Sequence, residues 1–154
     1  MFQKSCNLLY NQPKNQLMKC LYTICYVSKA SEHITKDDVK DIFKVTEQAN
    51  NASGISGILL HSFDNFFQVL EGEKRDLEQL YEDKIKKDTR HSDIYEIFNK
   101  EMETPIFSTY LSQFLTITTS IQLDEIRKYL NSNRTHSTSE KLSRLLKPFI
   151  IFDE

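Results

Sequence analysis

Few residues in this chain can cross-link it, bind a metal or interrupt its regular structure. Its 154 residues include no tryptophan and only three each of glycine, proline and cysteine. The cysteines Cys6, Cys20 and Cys25 are odd in number and lack the spacing of zinc ligands, and the four histidines are scattered. The sequence therefore predicts no structural metal site.

The chain also lacks an excess of basic residues and a long hydrophobic run. Its formal net charge of -2 excludes the broad positive surface that attracts nucleic acids or anionic membranes. No apolar run approaches the roughly 18 residues of a membrane-spanning helix, and the start has no signal-peptide pattern. With 39% hydrophobic and 27% charged residues, the composition is typical of one globular domain. We expect a cytoplasmic protein without nucleic-acid or membrane partners.

All three glycines lie within one stretch that predicts a β-hairpin. Two runs rich in Ile, Leu, Phe and Val flank Asp64-Asn65, a pair typical of a tight turn. Period-two alternation along the second strand puts Gln68 on the same face as Phe66 and Leu70. Burying that amide without a partner would cost about 1 to 3 kcal/mol. We therefore expect a polar group to meet Gln68.

The remaining patterns predict alternating strands and helices. In chain order they are a central strand over 20–28, a helix from Lys36 to Asn50-Asn51 with the capping box Thr35 and Asp38, the hairpin, a helix over 73–88, and strands over 94–102 and 107–118. Short connections and right-handed crossovers make the order βαββαββ an antiparallel, ferredoxin-like α+β sheet with both helices on one face. The first and third strands are then neighbours.

Two short amphipathic helices follow the sheet, the second with a capping box at Ser137 and Glu140 and a stop at Pro148. We expect this helical hairpin to cover the other face of the sheet. The predicted organisation is a loose extension over 1–18, with an alternative start at Met18, a domain over 19–118 and the hairpin over 119–154.

The second helix carries charge on its apolar side. Lys84 and Asp88 fall on the same side as its leucines, where charged residues are unusual. They either line a cavity or form an exposed ion pair worth about 0.3 to 0.5 kcal/mol. The sequence pattern leaves both readings open.

Several short motifs follow one another along the chain in one order: Cys25-Tyr26-Val27-Ser28, the helix end over 46–50, Gly54-Ile55-Ser56-Gly57-Ile58-Leu59, Phe66-Phe67-Gln68-Val69-Leu70-Glu71-Gly72 and Asp88-Thr89-Arg90-His91. Over residues 20–113 this order resembles the BLUF family of blue-light sensors, and the tail resembles the two extra helices of its short members. The resemblance implies a noncovalently bound flavin, most often FAD with FMN or riboflavin as alternatives. The flavin would lie between the two helices, with its ring over the centre of the sheet.

The resemblance also assigns roles to individual positions. Tyr26 matches the photoactive tyrosine, Gln68 the glutamine between it and the flavin, and Asn50 the asparagine at the polar edge of the ring, with Thr46 as a nearby hydroxyl. Taken alone, Tyr26 would be read as a core tyrosine and Asn50 as a helix C-cap.

Four further positions match the region around the flavin tail. Lys84 stands where an arginine is common, Asp88 matches a carboxylate, and Arg90-His91 match the end of the second helix. His91 can equally be a cation at the helix end, where it would interact with the dipole.

Three departures from the family pattern stand out. One residue more than usual separates Gly72 from Ile85, near Asp83-Lys84. In the last strand, Tyr110 and Ser112 replace the Trp and Met that are frequent there. Residues 1–18 have no counterpart.

The resemblance implies sensing without catalysis. In that mechanism light makes the flavin a strong oxidant, Tyr26 gives up an electron and then a proton, and Gln68 rearranges its hydrogen bonds. The output would pass to a partner protein or to a homo-oligomer. The competing hypotheses are an acylphosphatase-like hydrolase, for which Ser28-Lys29-Ala30-Ser31 supplies no phosphate loop with an arginine, and a flavin-free interaction module.

Overall fold

A computed structural model describes residues 20–108, 110, 113–133 and 137–152 of the chain. The extension predicted over 1–18, with its second start at Met18, lies outside the described residues. Within them, the architecture is the predicted α+β sheet of ferredoxin-like type, with two helices on one face and a helical hairpin on the other.

Five strands form the sheet in the order β4-β1-β3-β2-β5. They are β1 (Leu21–Ala30), β2 (Ser56–Ser62), β3 (Asn65–Glu73), β4 (His91–Glu101) and β5 (Leu115–Ile117). The strand β1 pairs antiparallel with both β3 and β4, so it is an internal strand beside the central β3, as its two apolar faces predict.

The last strand differs from the prediction in direction and in length. It runs parallel to β2, because the chain leaves β4 at one edge and returns at the opposite edge in the direction of β2. The strand predicted over 107–118 is limited to Leu115–Ile117 in the described part of that range. Its predicted start is bound elsewhere, since the amide of Phe107 donates to the carboxylate of Glu71 at 3.0 Å.

Two helices cover the face of the sheet that carries Tyr26 and Gln68. Helix α1 (Lys36–Ala52) has the predicted capping box, in which Thr35 and Asp38 exchange hydrogen bonds. Helix α2 (Lys74–Leu80) continues as a π-helical turn, Tyr81–Ile85, called the π-turn below. The second helical segment therefore ends at Ile85, three residues before the predicted limit at Asp88.

The opposite face is covered by α3 (Ser120–Ser132) and α4 (Ser137–Leu146), which pack their leucines and isoleucines on Cys25, Phe67 and Val69. Since α4 begins at Ser137 itself, that residue is not the N-cap that the predicted box requires. A box that sequence reasoning missed, Thr119 with Gln122, caps α3. No helix in the described ranges has the length and apolarity to cross a bilayer.

The hairpin turn consists of Phe63 and Asp64, one residue earlier than predicted, because Ser62 pairs with Asn65. Phe63 is exposed and has φ of 55°, a conformation that costs energy for a residue with a side chain. The two strands approach closely at Gly57, where an added Cβ would lie 1.9 Å from the Val69 carbonyl oxygen. Only glycine fits at that position.

A buried carboxylate on β3 ties the sheet to the chain that follows β4. Glu71 is 1% exposed and accepts hydrogen bonds from the backbone amides of Ile106, Phe107 and Ser108, at 2.5, 3.0 and 2.9 Å. The hydroxyl of Tyr129 on α3 donates to the carbonyl of Ile106. A continuous set of contacts thus leads from β3 to the C-terminal helices.

Candidate functional site

A cleft of about 210 Å³ opens between α1 and the π-turn, with β1 and β3 as its floor. Seven apolar residues form its walls: Ile42, Val45, Ala49, Leu59, Phe66, Leu80 and Ile85. All eight site residues predicted from the sequence line the same cleft: Tyr26, Thr46, Asn50, Gln68, Lys84, Asp88, Arg90 and His91. The fold therefore brings the predicted set together, although the contacts of its members differ widely.

Tyr26 and Gln68 form a buried pair at the floor of the cleft. They lie directly opposite each other in the β1–β3 ladder and are only 4% and 3% exposed. The Tyr26 hydroxyl donates a hydrogen bond to Oε1 of Gln68. Burial, the largest cause, raises the pKa of the Tyr26 phenol above its usual range, so the phenol keeps its proton at neutral pH. Tyr26 is thus the polar partner expected for Gln68.

Asn50 carries an unpaired donor into the cleft. Its side chain is buried near the end of α1, and Nδ2 has no hydrogen-bond partner among the residues that the structure describes. The C-cap of α1 is Ser53, so the amide side chain of Asn50 does not serve as the helix cap. Leaving such a donor buried costs about 1 to 3 kcal/mol. A ligand atom that accepts a hydrogen bond would recover that free energy.

Thr46 lies one helical turn before Asn50 on the same side of α1 and is half-buried in the cleft wall. Because an α-helix brings residues four apart onto one face, the helical pattern predicts this pairing directly. The hydroxyl and the amide thus form a short polar strip on one wall.

The mouth of the cleft is organised by Asp88 and Arg90. The guanidinium donates from Nε to Oδ1 of Asp88 at 3.0 Å and from Nη2 to Oδ2 at 2.7 Å. These bonds from Arg90 lower the pKa of the Asp88 carboxyl below its usual value. Arg90 also lies 3.6 Å from the Asp41 carboxylate on α1, so it bridges the two sides of the mouth.

The alternative prediction of an ion pair between Lys84 and Asp88 is wrong. No carboxylate among the described residues pairs with Lys84, whereas Asp88 pairs with Arg90. The reason is that the helix ends at Ile85, so the two residues no longer stand one α-helical turn apart. Lys84 is left as an exposed cation beside the cleft.

His91 is the first residue of β4, and both of its ring nitrogens are used within the protein. Nε2 donates to the carbonyl of Ile85 at 2.7 Å, since a carbonyl can only accept, and Nδ1 lies 2.7 Å from Oγ of Ser28. The ring therefore ties the π-turn to β1. Because Ile85 is the last residue of the helical segment, the bond to its carbonyl places His91 at the helix end, as one of its two predicted roles requires, although the ring reaches that end from β4.

Sequence reasoning missed Tyr81 as a member of this region. Helical spacing with Leu77, Leu80 and Ile85 predicts only an apolar position for Tyr81, yet its ring lies 5.6 Å from that of Tyr26 and it is 2% exposed. Burial, the largest cause, raises the pKa of Tyr81 to about 12. The neighbouring carboxylate of Glu96 is the next largest cause. The extra residue between Gly72 and Ile85 was the available signal, because a π-turn holds one residue more than an α-turn.

The cleft suits a flat aromatic ligand with hydrogen-bond acceptors at its edge. Its walls are apolar, its floor carries the Tyr26–Gln68 pair, and Asn50 offers an unpaired donor. The cations Lys84 and Arg90 stand at the open side, where an anionic tail would lie. These features fit a flavin.

Comparison with known proteins gives relatives in sequence. A family model described as "BLUF: Sensors of blue-light using FAD" matches residues 21–113. The photoactivated adenylate cyclase subunit alpha-like protein FB of Euglena gracilis is 32% identical over 130 residues, which cover 84% of this chain and 12% of that protein. The photoactivated adenylate cyclase subunit alpha of the same organism is 32% identical over 91 residues and is matched over 9% of its length. This chain therefore spans only about a tenth of these relatives.

Solved structures agree in fold. A complex of Klebsiella pneumoniae BlrP1 with manganese and cy-diGMP at pH 6 is 26% identical and has a TM-score of 0.64, covering 82% of this chain and 33% of that one. The photo-activated state of BlsA has a TM-score of 0.61 at 24% identity, covering 87% of this chain and 97% of that one. Since the family model matches more than half of the residues, this chain belongs to the BLUF family, the sensors of blue light using FAD.

Proposed function

We propose that this chain is a blue-light photoreceptor that holds a flavin noncovalently in the cleft between α1 and the π-turn. The observation that carries the proposal is the buried, unpaired Nδ2 of Asn50, which faces a cleft whose floor is the Tyr26–Gln68 pair. Residues 19–118 would form the flavin-binding domain, 119–154 the output hairpin, and 1–18 an extension. We assign the protein to sensing and not to catalysis.

Different residues of the cleft would bind different parts of the flavin. Asn50 would donate to a carbonyl at the polar edge of the ring, with Thr46 beside it, while Ile42, Leu59 and Phe66 would pack on the ring itself. At the mouth, Lys84 would meet the phosphates of FAD, because it has no carboxylate partner among the described residues. Arg90, held by Asp88 and by Asp41, would close the open side. This arrangement favours FAD over riboflavin, which has no phosphate.

The bound flavin, when excited by blue light, supplies a strong one-electron oxidant next to the Tyr26–Gln68 pair. Loss of an electron would make the Tyr26 phenol strongly acidic, so its proton would move along the existing hydrogen bond to Oε1 of Gln68, and the proton would return to Tyr26 when the electron does. An amide can both donate and accept, so Gln68 can exchange its donor and acceptor ends and keep a new pattern of hydrogen bonds after the electron returns. The pair is thus a two-state element that light can bias.

The output would leave through β3 and the C-terminal helices. Glu71 lies three residues after Gln68 on β3 and faces the opposite side of the sheet, where it binds the amides of Ile106 to Ser108. A shift of β3 would move that segment and, through the Tyr129 hydroxyl, helix α3. We propose that the altered surface is read by a partner protein or by a second copy of this chain. The cyclase activity named in the relatives is not carried over to a chain that spans so little of them.

A hydrolase of the acylphosphatase type fits the site less well. The loop between β1 and α1 contains no arginine, and the hydroxyl of Ser28 lies 2.7 Å from Nδ1 of His91. The polar groups of the cleft therefore do not form a phosphate cradle.

Purified protein reconstituted with FAD should be yellow, and its flavin absorption should shift to the red under blue light and recover in the dark. Absorption spectra before, during and after illumination measure this response. The matched reference is the same sample kept in darkness. A colourless protein after reconstitution would refute the proposed function.

Asn50→Leu should weaken flavin binding while stabilising the flavin-free protein. The substitution removes a donor that binding would satisfy, worth about 1 to 3 kcal/mol, or about fivefold to a hundredfold in affinity. It also removes the cost of burying that donor in the flavin-free state. Titration with FAD and urea unfolding measure the two effects. The control is Gln48→Leu, an exposed amide on the same helix; equal affinities for the two variants would contradict the role of Asn50.

A further inference from the structure

Two other aromatic rings pack against the ring of Tyr26. The ring centroid of Tyr81 is 5.6 Å away with an interplanar angle of 48°, and that of His91 is 6.3 Å away with an angle of 58°. Both contacts are tilted ring packing at distances typical of favourable aromatic pairs. Tyr81 itself does not line the cleft, and its ring contacts the site through that of Tyr26.

Both flanking rings are anchored on the π-turn. Tyr81 is its first residue, and the carbonyl of Tyr81 accepts the i+5 hydrogen bond from the amide of Lys86 at 3.0 Å. Ile85 is its last residue, and its carbonyl accepts from Nε2 of His91 at 2.7 Å. A π-turn displaces carbonyls from the regular i to i+4 pattern, which leaves this one available to a side chain.

The anchoring extends to the strand and to the outer surface. Nδ1 of His91 lies 2.7 Å from Oγ of Ser28, two residues beyond Tyr26 and on the same face of β1. On its outer side, the ring of Tyr81 carries Nζ of Lys86 at 4.8 Å from its centroid, and that lysine pairs with Glu82 at 2.7 Å. Each flanking ring is thus held by a second contact that does not involve Tyr26.

We propose that Tyr81 and His91 are positioning residues that clamp the ring of Tyr26 and so keep its hydroxyl on Gln68. The inference rests on the proposed function, because it assigns these residues to the light reaction of that site. A tyrosine on a strand has several staggered rotamers, and only one places its hydroxyl on the glutamine. Two rings packed against the Tyr26 ring occupy space that the other rotamers would need. The π-turn is the element that positions both the Tyr81 and the His91 ring.

The test compares Tyr81→Leu, which removes the ring, with Tyr81→Phe, which keeps the ring and removes the hydroxyl. The matched control is Tyr95→Leu, an exposed tyrosine on β4. The first measurement is the vibrational band of the Tyr26 phenol in flavin-free protein with isotope-labelled tyrosine, assigned by its loss in Tyr26→Phe. The second is the yield of the red-shifted state per absorbed photon in FAD-loaded protein.

We expect Tyr81→Leu to shift and broaden the Tyr26 band and to lower the yield about tenfold, because fewer molecules hold the hydroxyl in line. Tyr81→Phe and Tyr95→Leu should stay within about twofold of the unaltered protein, since both leave the clamp in place. A Tyr81→Leu protein indistinguishable from Tyr95→Leu would overturn the proposal. So would a Tyr81→Phe protein that behaves like Tyr81→Leu, because the hydroxyl and not the ring would then be responsible.

If Tyr81→Leu does not fold, His91→Gln takes its place, since glutamine lacks the ring but can still hydrogen-bond. It should shift the Tyr26 band, and an unchanged band would overturn the clamp. The Tyr26 phenol band of the flavin-free protein distinguishes a failure of the clamp from a failure of the proposed light-sensing function. A protein that binds no flavin, yet whose Tyr26 band shifts in Tyr81→Leu, refutes the proposed function and leaves the clamp intact.

Discussion

Gln68→Leu should abolish the reversible red shift while leaving flavin bound. The Tyr26 hydroxyl has Oε1 of Gln68 as its hydrogen-bond acceptor, and leucine offers no atom to receive the proton or to exchange donor for acceptor. Because leucine has nearly the same volume, the apolar packing around Phe66 and Leu70 should persist. The light-minus-dark difference spectrum should therefore fall to baseline, although the dark spectrum still shows bound flavin.

The same substitution should also lower stability. It leaves the buried Tyr26 hydroxyl without an acceptor, at a cost of about 1 to 3 kcal/mol that urea unfolding of the flavin-free protein can measure. Gln79→Leu, an exposed glutamine on α2, is the matched control and should change neither quantity. A Gln68→Leu protein with a normal light response would remove Gln68 from the mechanism.

Tyr26→Phe should likewise keep the flavin and lose the photoresponse. The ring would stay packed against Tyr81 and His91, but the group that gives up both an electron and a proton would be gone. Phenylalanine is much harder to oxidise than a phenol and has no acidic proton, so the hydrogen bonds of Gln68 would have no reason to change. Steady illumination followed by dark recovery, monitored by flavin absorption, measures the loss.

The matched control for that variant is Tyr22→Phe, on the same strand and the same face. Tyr22 packs beside Lys74 and does not line the cleft. Its hydroxyl should therefore be dispensable for the response. A persistent, reversible red shift in Tyr26→Phe would show that another group is the photochemical donor.

Several features of the fold could be predicted because local patterns encode them. Period-two alternation places Gln68 on the same face as Phe66 and Leu70, and a slip by one residue would move all three side chains to the opposite face of the sheet, so the β1–β3 register follows. The Thr35–Asp38 box likewise depends on residues three apart. The position of the turn at Phe63-Asp64 could not be predicted in this way, because the pairing of Ser62 with Asn65 outweighs the preference of Phe63 for negative φ.

Other features depended on partners far away in the chain. The strand predicted from Phe107 onward looks regular in sequence, but the carboxylate of Glu71 binds three successive amides at its start. No local sequence pattern predicts that contact, because it joins residues 35 to 37 positions apart. The π-turn is only partly encoded locally, since the extra residue between Gly72 and Ile85 signals an insertion but not a π-turn that brings Tyr81 to Tyr26.

The sequence by itself determined part of the cleft lining, because strand and helix periodicity assigned Tyr26, Gln68 and Thr46 to faces from neighbours only two to four residues away. The resemblance to the BLUF family, and not periodicity, supplied Asn50, Arg90 and His91, and all eight predicted residues line the cleft. Only the tertiary structure decided which of them remain available to a ligand. Hydrogen bonding consumes Asp88 and His91 within the protein and leaves the amide of Asn50 unpaired. Those pairings depend on atoms that meet only when the chain is folded, and so they could not be predicted from its local pattern.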